Sequence, residues 1–492
     1  MKPKFDFARY AEGNSDLAER YGLDEDDLAA HYEQFGNAEK RGVPVNEYLR
    51  LEGVICCDQG YVYLAGWADQ RMVPSINVRI EIGYMTYELG EVEMCWYDRA
   101  DVAAVTGDSK NPSGFLTVLK MDSLPLHSNV RIFINNFMVY EDPVMRWQSL
   151  GSFLQNALAA CAVLSDQPVG ISQRHAKSLF PVFHEIWNAF CEDLKFIKAF
   201  ENRGDAAVKR SIIITLYRKT DMLLVQLESL AEALLADDET EVIVVGNDML
   251  GPNQVVEKLD AFCQIFDIPL SVYLCSSNSG FSIGNNYGAY QARGDVLIFM
   301  NPDIFPPEQG PERATDYLFT DPGDDLHGAL LYYGDGTLMH SGMYTTGDLA
   351  FDAKTGHSEQ VLRVEHFGKG LAHHIDDAPE DIQPALDRIA DQPVLASAAL
   401  WKLRKSVFNE VGQLPDDYLF AYYEDADCCL QLRAAGHDIV IDNNSRWIHM
   451  EGVGKAKPPF VRAFMWLNRA RYSEKFANSP YLAGRDIDLS LL

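Results

Sequence analysis

Short apolar runs bounded by glycine, asparagine and aspartate recur in the second half of the chain. The runs within Glu241–Asp248 and Val296–Asp303 are rich in β-branched or aromatic residues, which predicts buried parallel strands. Between them, Ile283–Arg293 has helical spacing and stops at a glycine. Upstream, the apolar run Ser211–Leu216 precedes the amphipathic segment Asp221–Leu235. These repeated strand–helix units predict a right-handed, mostly parallel sheet.

The pattern differs in the first half of the chain. Asp16–Gly22 and Asp24–Gly36 carry apolar stripes and end at glycine, as helices do. From about residue 53 to 143 the period is two, which predicts a small antiparallel β-sandwich. Helical spacing then returns. The predicted organisation is a helical segment (1–50), a β-sandwich accessory domain (51–145), a helical connector (146–208), an α/β domain (209–478) and a tail (479–492).

Composition limits the possible classes of function. The 492 residues suit more than one domain, and 72 acidic against 42 basic side chains give a formal charge of −30. Such a charge argues against nucleic-acid binding and against docking on anionic lipid. No run is apolar enough for a transmembrane segment or a signal peptide. The nine cysteines show no CxxC spacing, so reduced thiols and a cytoplasmic location are predicted, with peripheral contact at the inner membrane face left open.

Two carboxylates follow the predicted parallel strands. Asp248 ends the run that starts at Glu241, and Asp303 follows the run that starts at Val296. In open α/β sheets, ligands bind at the carboxyl ends of the strands. A glycine-rich helix start lies between the two runs, and such starts favour phosphate groups. Together these features predict a metal-assisted nucleotide site.

Several motifs occur in a characteristic order. SIIITLYR, EVIVVGND, NSGFSIGNNYGAYQARGD and NPD are followed by YEDADCC and WIHMEGVG. As an ordered set, over roughly residues 210–475, they resemble family 2 glycosyltransferases, most closely the bacterial polysaccharide and O-antigen transferases. The resemblance implies a GT-A catalytic domain, which is Rossmann-like. The expected fold class is therefore multidomain α/β, with this domain preceded by the helical segment, the β-sandwich and the helical connector.

The resemblance also implies a metal site. NPD resembles a variant of the family's Asp-x-Asp motif, which makes Asp303 a ligand of Mn²⁺ or Mg²⁺. The late histidine of the family corresponds to His449, which would complete the metal shell. Asn301 stands where the family has its first aspartate and is assigned to donor binding, although its amide would equally suit holding the loop.

A nucleotide-sugar pocket follows from the same resemblance. Its predicted members are Thr215, Tyr217, Arg218, Asp248, Asn278, Gly280 and Asn286. Asp248 lies two positions after Gly246, where the family usually has its acid, and Gly280 would also suit close packing. The run HFGKG, residues 366–370, is a candidate lid whose Lys369 would contact phosphate.

The second predicted constellation is acidic. Glu424 and Asp425 precede an amphipathic helix, Ala426–Ala435, and the helix dipole is expected to keep both ionised. In the family, a carboxylate here takes the proton from the acceptor hydroxyl. The resemblance thus implies that Asp425 is the general base and that Glu424 orients the acceptor. The alternative is that these acids only cap the helix.

The predicted activity is inverting transfer of a hexose or deoxyhexose from a UDP, GDP or dTDP sugar. The acceptor is expected to be a hydroxyl of a growing glycan, free or lipid-linked. The alternative is a catalytically silent scaffold or a lectin-like protein, in which sandwich aromatics such as Trp67, Trp96 and Tyr97 stack on sugar rings. A homodimer is also left open.

Overall fold

The computed structural model describes residues 11, 15–22, 24–31, 48–108, 110–121, 129–143, 145–202, 207–218, 220–308, 311–352, 356–369, 373–377, 394–450 and 457–479. The chain forms two compact units. Unit 1 comprises residues 1–190 with 458–463, and unit 2 comprises residues 191–457 with 464–492.

Unit 1 begins with two short helices, α1 (Ser15–Tyr21) and α2 (Glu25–His31). They pack through Leu17 and Leu28, which are both buried. Gly22 ends α1 with a left-handed φ of 61°, a conformation that glycine adopts without a steric penalty. The predicted continuation of the second helix to Gly36 lies outside the described residues.

Antiparallel strands follow. They are β1 (Leu49–Cys56), β2 (Tyr61–Ala68), β3 (Asn77–Ile82), β4 (Met85–Glu91), β5 (Cys95–Tyr97), β6 (Gly114–Lys120), β7 (Val130–Ile134) and β8 (Phe137–Asp142), with α3 (Ala100–Thr106) before β6. The sheet orders are β1-β2-β6-β5 and β4-β3-β7-β8. Leu64 on one sheet and Ile80 and Ile132 on the other share one buried cluster. The two sheets therefore stack as a β-sandwich around a single core.

The candidate sugar-stacking aromatics of the sandwich are at least partly buried. Trp96 packs edge-on against Phe115, with 5.6 Å between ring centroids. Tyr97 is only 8% exposed, and Trp67 is half-buried. This placement gives the rings a role in packing and weakens the lectin-like alternative.

Helices α4 (Leu150–Cys161) and α5 (Val169–Glu192) follow the sandwich, separated by a 3₁₀ turn (Ala162–Asp166). The helical connector was predicted to reach residue 208, and this was wrong in its last part. Phe196–Asn202 forms strand β9, which pairs antiparallel with a strand of unit 2. The open edge of that strand leaves backbone N–H and C=O groups without partners. Pairing β9 with this edge satisfies them, and the stabilisation outweighs the helical preference of the local sequence.

The first part of unit 2 alternates strands and helices. After β9 come β10 (Arg210–Tyr217), α6 (Asp221–Ala236), β11 (Thr240–Asn247), α7 (Pro252–Phe266), β12 (Leu270–Cys275), α8 (Gly280–Gln291) and β13 (Val296–Met300). Strands β13, β10, β11 and β12 are neighbours in that order and run parallel. Their carboxyl ends therefore meet at one edge of the sheet.

The second part of unit 2 adds further elements. They are β14 (Ile304–Phe305), α9 (Pro311–Phe319), β15 (Leu326–Tyr332), β16 (Leu338–His340), β17 (Met343–Asp352), β18 (His357–His366), β19 (Leu400–Arg404), α10 (Lys405–Glu410), α11 (Glu424–Ala435), β20 (Ile439–His449) and α12 (Pro459–Phe476), which belongs to unit 2 from Phe464 onward. The large sheet has the order β14-β20-β15-β19-β13-β10-β11-β12-β9.

The expectation of a mostly parallel sheet was too simple. Strand β19 pairs antiparallel with both β13 and β15, and β9 and β14 are antiparallel edge strands. The sheet is therefore mixed, with a parallel centre. Strand β19 is antiparallel to β13, and an antiparallel strand needs no crossover helix. The alternation of strands and helices in the sequence therefore could not predict it.

Helices cover both faces of this sheet. Ile212 and Ile214 point into a cluster with α6 and α7, whereas Ile213 points into a cluster with α8, α10 and α11. All residues of β11 are buried, as the apolar run predicted. All nine cysteines lie in the described part of the chain as free thiols, and each is buried except Cys191, which is half-buried.

Candidate active site

A cavity of about 520 Å³ lies in unit 2, where several elements end or begin. The sequence-predicted residues that line it are Asn301 and Asp303 after β13, His449 at the end of β20, and Glu424 and Asp425 at the start of α11. The predicted metal ligands and the predicted acid pair, which are far apart in sequence, therefore share one cavity.

The backbone fixes the Asp303–His449 pair. Ile304 pairs with His449 in the β14–β20 ladder, and the Met450 N–H donates to the Asp303 carbonyl at 2.9 Å. Asp303 Oδ1 consequently lies 3.3 Å from His449 Nε2. The backbone on both sides of Asp303 in sequence is held by buried Gln226. Its Nε2 donates to the carbonyls of Asn301 and Ile304, at 2.6 and 2.7 Å. Gln226 was not identified from sequence, because its partners lie 75 or more residues away.

The donor set of this pair suits a divalent cation. A carboxylate oxygen and an imidazole nitrogen face each other, and both line the cavity. Among the described residues, no group of three or more His, Cys, Asp or Glu side chains could hold a metal ion. Asp303 and His449 therefore fit a cation that takes its remaining ligands from water and from a substrate, as Mg²⁺ and Mn²⁺ commonly do.

Burial changes the ionisation of the acid pair. Asp425 accepts hydrogen bonds from the Ala426 N–H at 2.8 Å and the Ala398 N–H at 3.4 Å. Desolvation outweighs these bonds and raises the pKa of Asp425 to about 6. Glu424 is 4% exposed, and its pKa rises to about 8 through desolvation and the nearby charge of Asp425. The expectation that the helix dipole keeps both ionised is therefore wrong for Glu424.

Glu424 also has an unsatisfied polar atom. Its Oε2 is buried and, within the described part of the chain, has no hydrogen-bond partner. A buried carboxyl oxygen without a partner is costly unless a ligand supplies one. Since Glu424 lines the cavity, a substrate hydroxyl is a suitable partner.

The segment before the acid pair is strained. Phe420, Tyr422 and Tyr423 have φ values of 58°, 79° and 78°, which bulky side chains rarely adopt. Buried Asn468 holds this segment: Oδ1 accepts from the Leu419 N–H at 2.8 Å, and Nδ2 donates to the carbonyls of Leu419 and Ala421, both at 2.9 Å. Asn468 thus sets where α11 begins.

The opposite side of α11 is anchored by Asp427. This fully buried carboxylate accepts from the Tyr418 hydroxyl at 2.8 Å, from Gln431 Nε2 at 2.6 Å and from the Lys475 ammonium group. Asp427 therefore has a structural role, whereas Glu424 and Asp425 face the cavity. The sequence offered no signal for Lys475, which is 48 residues away.

The predicted nucleotide-binding residues at the ends of β10 and β11 lie outside the cavity lining. Arg218 Nε is 2.9 Å from Asp248 Oδ2, and both side chains are exposed. Tyr217 is 48% exposed, and the Thr215 hydroxyl donates to Asn285 at 3.0 Å. Tyr217, Arg218 and Asp248 form a separate exposed group at the carboxyl ends of two adjacent strands.

The remaining predicted nucleotide-binding residues make contacts within the protein and lie outside the cavity lining. Asn278 Oδ1 accepts from the Gly280 N–H at 3.0 Å, and a Cβ on Gly280 would lie 2.5 Å from the Phe420 carbonyl. Asn286 exchanges two hydrogen bonds with the Leu414 backbone, at 2.8 and 3.1 Å. Gly280 is therefore a close-packing glycine, and the Asn286 amide is engaged by protein.

Within the described residues, no helix is both long and apolar enough to cross a membrane. The fold of unit 2 and its cavity define an α/β protein with a carboxylate–histidine pair and an acid pair at one site. This is the type of arrangement that binds a phosphorylated ligand through a cation and performs acid–base chemistry.

Comparison with known proteins gives a family match over part of the chain. Residues 211–352 match the model of glycosyl transferase family 2. The resemblance inferred from the ordered motifs is thereby confirmed over this segment, which begins in β10 and includes the parallel strands and Asp303. The mixed α/β sheet agrees with the GT-A-like fold expected of that family.

Two curated relatives are distant. The uncharacterized protein y4gI of Sinorhizobium fredii is 25% identical over 252 residues, which cover 49% of this chain and 25% of that protein. The O-antigen biosynthesis protein RfbC of Myxococcus xanthus is 23% identical over 269 residues, which cover 54% of this chain and 19% of that protein. The chain thus spans a quarter or less of the length of these relatives.

Solved structures overlap the chain in part. GalNAc-T7 with UDP, GalNAc and Mn²⁺ aligns at a TM-score of 0.36 and 15% identity, covering 55% of this chain and 48% of that chain. The mannosyltransferase PcManGT from Pyrobaculum calidifontis, with GDP-Man and Mn²⁺, aligns at 0.34 and 13%, covering 66% and 84%. These TM-scores are too low to carry an argument. The resemblance to glycosyl transferase family 2 is therefore supported by the match over residues 211–352.

Proposed function

We propose that this protein is an inverting glycosyltransferase that moves a hexose or deoxyhexose from a nucleoside-diphosphate sugar to a hydroxyl of a glycan. The observation that supports this most is the single cavity of about 520 Å³ that contains the Asp303–His449 pair and the Glu424–Asp425 pair. The family match over residues 211–352 supports the same chemistry.

Asp303 and His449 are the proposed holders of Mn²⁺ or Mg²⁺. When bound, the cation supplies positive charge that stabilises the leaving diphosphate. Lys369 and Lys457 line the same cavity and add positive charge there. Lys457 Nζ is held 3.1 Å from the Tyr422 hydroxyl, which places this cation at the cavity wall.

Asp425 is the proposed general base. The acceptor oxygen forms a bond to the anomeric carbon while the bond from that carbon to the diphosphate oxygen breaks. The acceptor proton passes to a carboxylate oxygen of Asp425, and the electron pair leaves with the diphosphate. One displacement from the opposite face inverts the anomeric centre. Glu424, protonated at neutral pH, orients the acceptor hydroxyl with its otherwise unpartnered carboxyl.

Tyr217, Arg218 and Asp248 are proposed to contact the nucleoside, because they are exposed at the carboxyl ends of β10 and β11. UDP, GDP and dTDP sugars all remain candidate donors. The similarity to an O-antigen biosynthesis protein favours a bacterial glycan as the acceptor.

A donor panel tests the proposal. The full chain is incubated with UDP, GDP and dTDP sugars and Mn²⁺, and thermal stabilisation and slow hydrolysis of each sugar nucleotide are measured. One donor class should stabilise the protein and be hydrolysed, and EDTA should abolish both effects. Stabilisation by none of these donors, with a folded protein, would contradict the proposed function.

Asp425→Asn tests the base. The variant should lose at least about 100-fold in transfer or hydrolysis, since general base catalysis contributes about that much or more. It should keep the donor-induced thermal shift of the unaltered protein. The matched control is Asp295→Asn, an exposed aspartate outside the cavity lining, which should change neither. Full activity in Asp425→Asn would refute the assignment.

A further inference from the structure

A pair of histidines in unit 2 has no role in the mechanism above. His366, the last residue of β18, lines the cavity, and His340, the last residue of β16, is buried behind it with 1% exposure. Their Nδ1 atoms are 2.9 Å apart, and the rings meet nearly edge-on, at 75°. This is a hydrogen bond between two imidazoles, so one ring must donate and the other must accept.

The surroundings of His340 determine the direction of this hydrogen bond. Its other nitrogen, Nε2, faces the Ser397 backbone N–H at 3.5 Å. A backbone N–H can only donate, so Nε2 of His340 is the unprotonated nitrogen and Nδ1 carries the proton. His340 therefore donates to His366 Nδ1, and His366 must carry its own proton on Nε2.

Both rings are held by backbone ladders. His340 pairs with Leu331 in the β15–β16 ladder, and His366 pairs with Met343 in the β17–β18 ladder. Burial also lowers the pKa of both imidazoles, for His366 to about 4, so the pair is neutral at physiological pH. Among the described residues, His340 is the one hydrogen-bond partner of His366. The His366 Nε2–H is thus a positioned, neutral donor at a wall of the cavity.

We propose that His366 donates a hydrogen bond from Nε2 to a hydroxyl oxygen of the transferred sugar, and that His340 is a positioning residue that fixes the required tautomer. This inference rests on the proposed function. A neutral N–H suits a neutral hydroxyl, whereas the anionic diphosphate has the stronger partners Lys369 and Lys457 in the same cavity. A site built to bond a hydroxyl discriminates strongly against a sugar that lacks it.

The test compares two ligands by titration calorimetry with Mn²⁺ present. The first is the nucleotide sugar that most stabilises the unaltered full chain, and the second is its nucleoside diphosphate alone. His366→Ala should weaken binding of the nucleotide sugar about tenfold, corresponding to one hydrogen bond of about 1.4 kcal/mol, and leave the diphosphate affinity unchanged. His366→Gln, which keeps an N–H near the same place, should restore most of the loss.

His340→Ala should also weaken binding of the nucleotide sugar and leave the diphosphate affinity unchanged. The factor should be smaller than in His366→Ala, because His366 keeps its ring but loses its fixed tautomer. The matched control is His374→Ala, a partly exposed histidine outside the cavity lining, which should alter neither affinity. Equal weakening of sugar and diphosphate binding in His366→Ala would overturn the proposal, since it would place the donor on phosphate. Unchanged affinity for both ligands would also overturn it.

A measurement without ligand separates this inference from the proposed function. Nitrogen NMR of the full chain labelled at histidine reports which ring nitrogen carries the proton. The expected result is protonation at Nδ1 of His340 and at Nε2 of His366, with loss of the fixed His366 tautomer in His340→Ala. The opposite tautomers would refute the inference even if the protein transferred sugars. If the tautomers are as expected but no nucleotide sugar binds, the proposed function fails and the assignment to a sugar hydroxyl fails with it.

Discussion

At the residue scale, the site combines one carboxyl group that is ionised near neutral pH with one that is protonated. Asp425 has a pKa raised to about 6, and Glu424 a pKa raised to about 8, both chiefly by desolvation. Two adjacent buried acids whose pKa values differ in this way can act as proton acceptor and hydrogen-bond donor, respectively, within a narrow pH range. The sequence showed the acid pair but could not show its burial, which depends on the distant segments around it.

The first prediction concerns the pH dependence of activity. A base must be ionised, so kcat should rise as pH increases through about 6, the pKa of Asp425. An orienting Glu424 must be protonated, so kcat should fall as pH increases through about 8. Rates of donor hydrolysis measured across this range should give a bell-shaped profile. Its rising and falling limbs report the two apparent pKa values of the interacting Glu424–Asp425 pair. A profile with no acid limb would contradict Asp425 as the base.

The second prediction concerns stability. The folded-state pKa of Glu424, about 8, lies above its ordinary value of 4.5, so the folded state binds this proton more tightly than the unfolded state. The stabilisation is complete below pH 4.5 and is lost as pH rises through about 8. Glu424→Gln cannot ionise, so at pH 9 it should be more stable than the unaltered protein by on the order of 5 kcal/mol, which is the shift from 4.5 to about 8 at about 1.4 kcal/mol per pKa unit.

Urea unfolding at pH 5 and at pH 9 measures this difference. The unaltered protein should lose more stability than Glu424→Gln between the two values. Glu257→Gln, on an exposed side chain of α7, serves as the control and should follow the unaltered protein. Equal losses in all three proteins would show that Glu424 is not buried in solution as the structure has it.

At the scale of elements, the strained segment 420–423 joins the core to α11, which carries the proposed base. Three residues with left-handed φ cost roughly 1–3 kcal/mol each. The hydrogen bonds of Asn468 and the close packing of Gly280 against the Phe420 carbonyl hold this conformation. The first turn of α11, with Glu424 and Asp425, is thereby fixed at the cavity.

The third prediction is that Asn468 acts by positioning. Asn468→Ala removes the donors to the Leu419 and Ala421 carbonyls, so Asp425 should shift relative to the acceptor. A displacement of about 1 Å can cost about 100-fold, and kcat should fall by up to that factor while donor affinity stays constant. Asn468→Asp keeps the acceptor for the Leu419 N–H but loses the donors, so it should show the same kcat defect.

Thermal unfolding shows whether each Asn468 variant is folded, and Asn409→Ala, an exposed asparagine on α10, is the control. A fall in donor affinity equal to the fall in kcat would indicate general damage and contradict a positioning role.

Elements with a strong local pattern were the easiest to predict. The parallel strands β10, β11 and β13 and helix α6 follow directly from apolar runs and helical spacing. Strand β9 was missed because its pairing with β12 is a tertiary effect. Asp303, His449 and Asp425 could be proposed from sequence because family motifs mark them, whereas Gln226 and Asn468 stand outside any motif and act through partners distant in sequence. His366 belongs to the predicted lid run, but its pairing with His340 depends on the fold and gave no sequence signal.

At the scale of the whole molecule, the two units differ in the chemistry they display. Unit 1 contains the β-sandwich, whose candidate stacking aromatics are partly or fully buried. Unit 2 contains the cavity and every residue to which a catalytic or binding role is assigned. Apart from the end of the helical connector, which strand β9 corrects, the domain limits predicted from sequence stay predictions, as does the homodimer.

The last prediction follows from the net charge of −30. A nucleotide sugar is also an anion, so the field of the protein repels it at long range, whereas the cation and the lysines in the cavity attract it locally. At an ionic strength of 0.01 M the Debye length is about 30 Å, and at 0.15 M it is about 8 Å, so added salt screens the repulsion more than the short contacts. The association rate constant, followed by stopped-flow tryptophan fluorescence with Mn²⁺ saturating, should therefore rise several-fold over this range. A rate that falls with salt would show that Lys369 and Lys457 dominate the approach of the donor; Lys369→Gln should then remove the dependence.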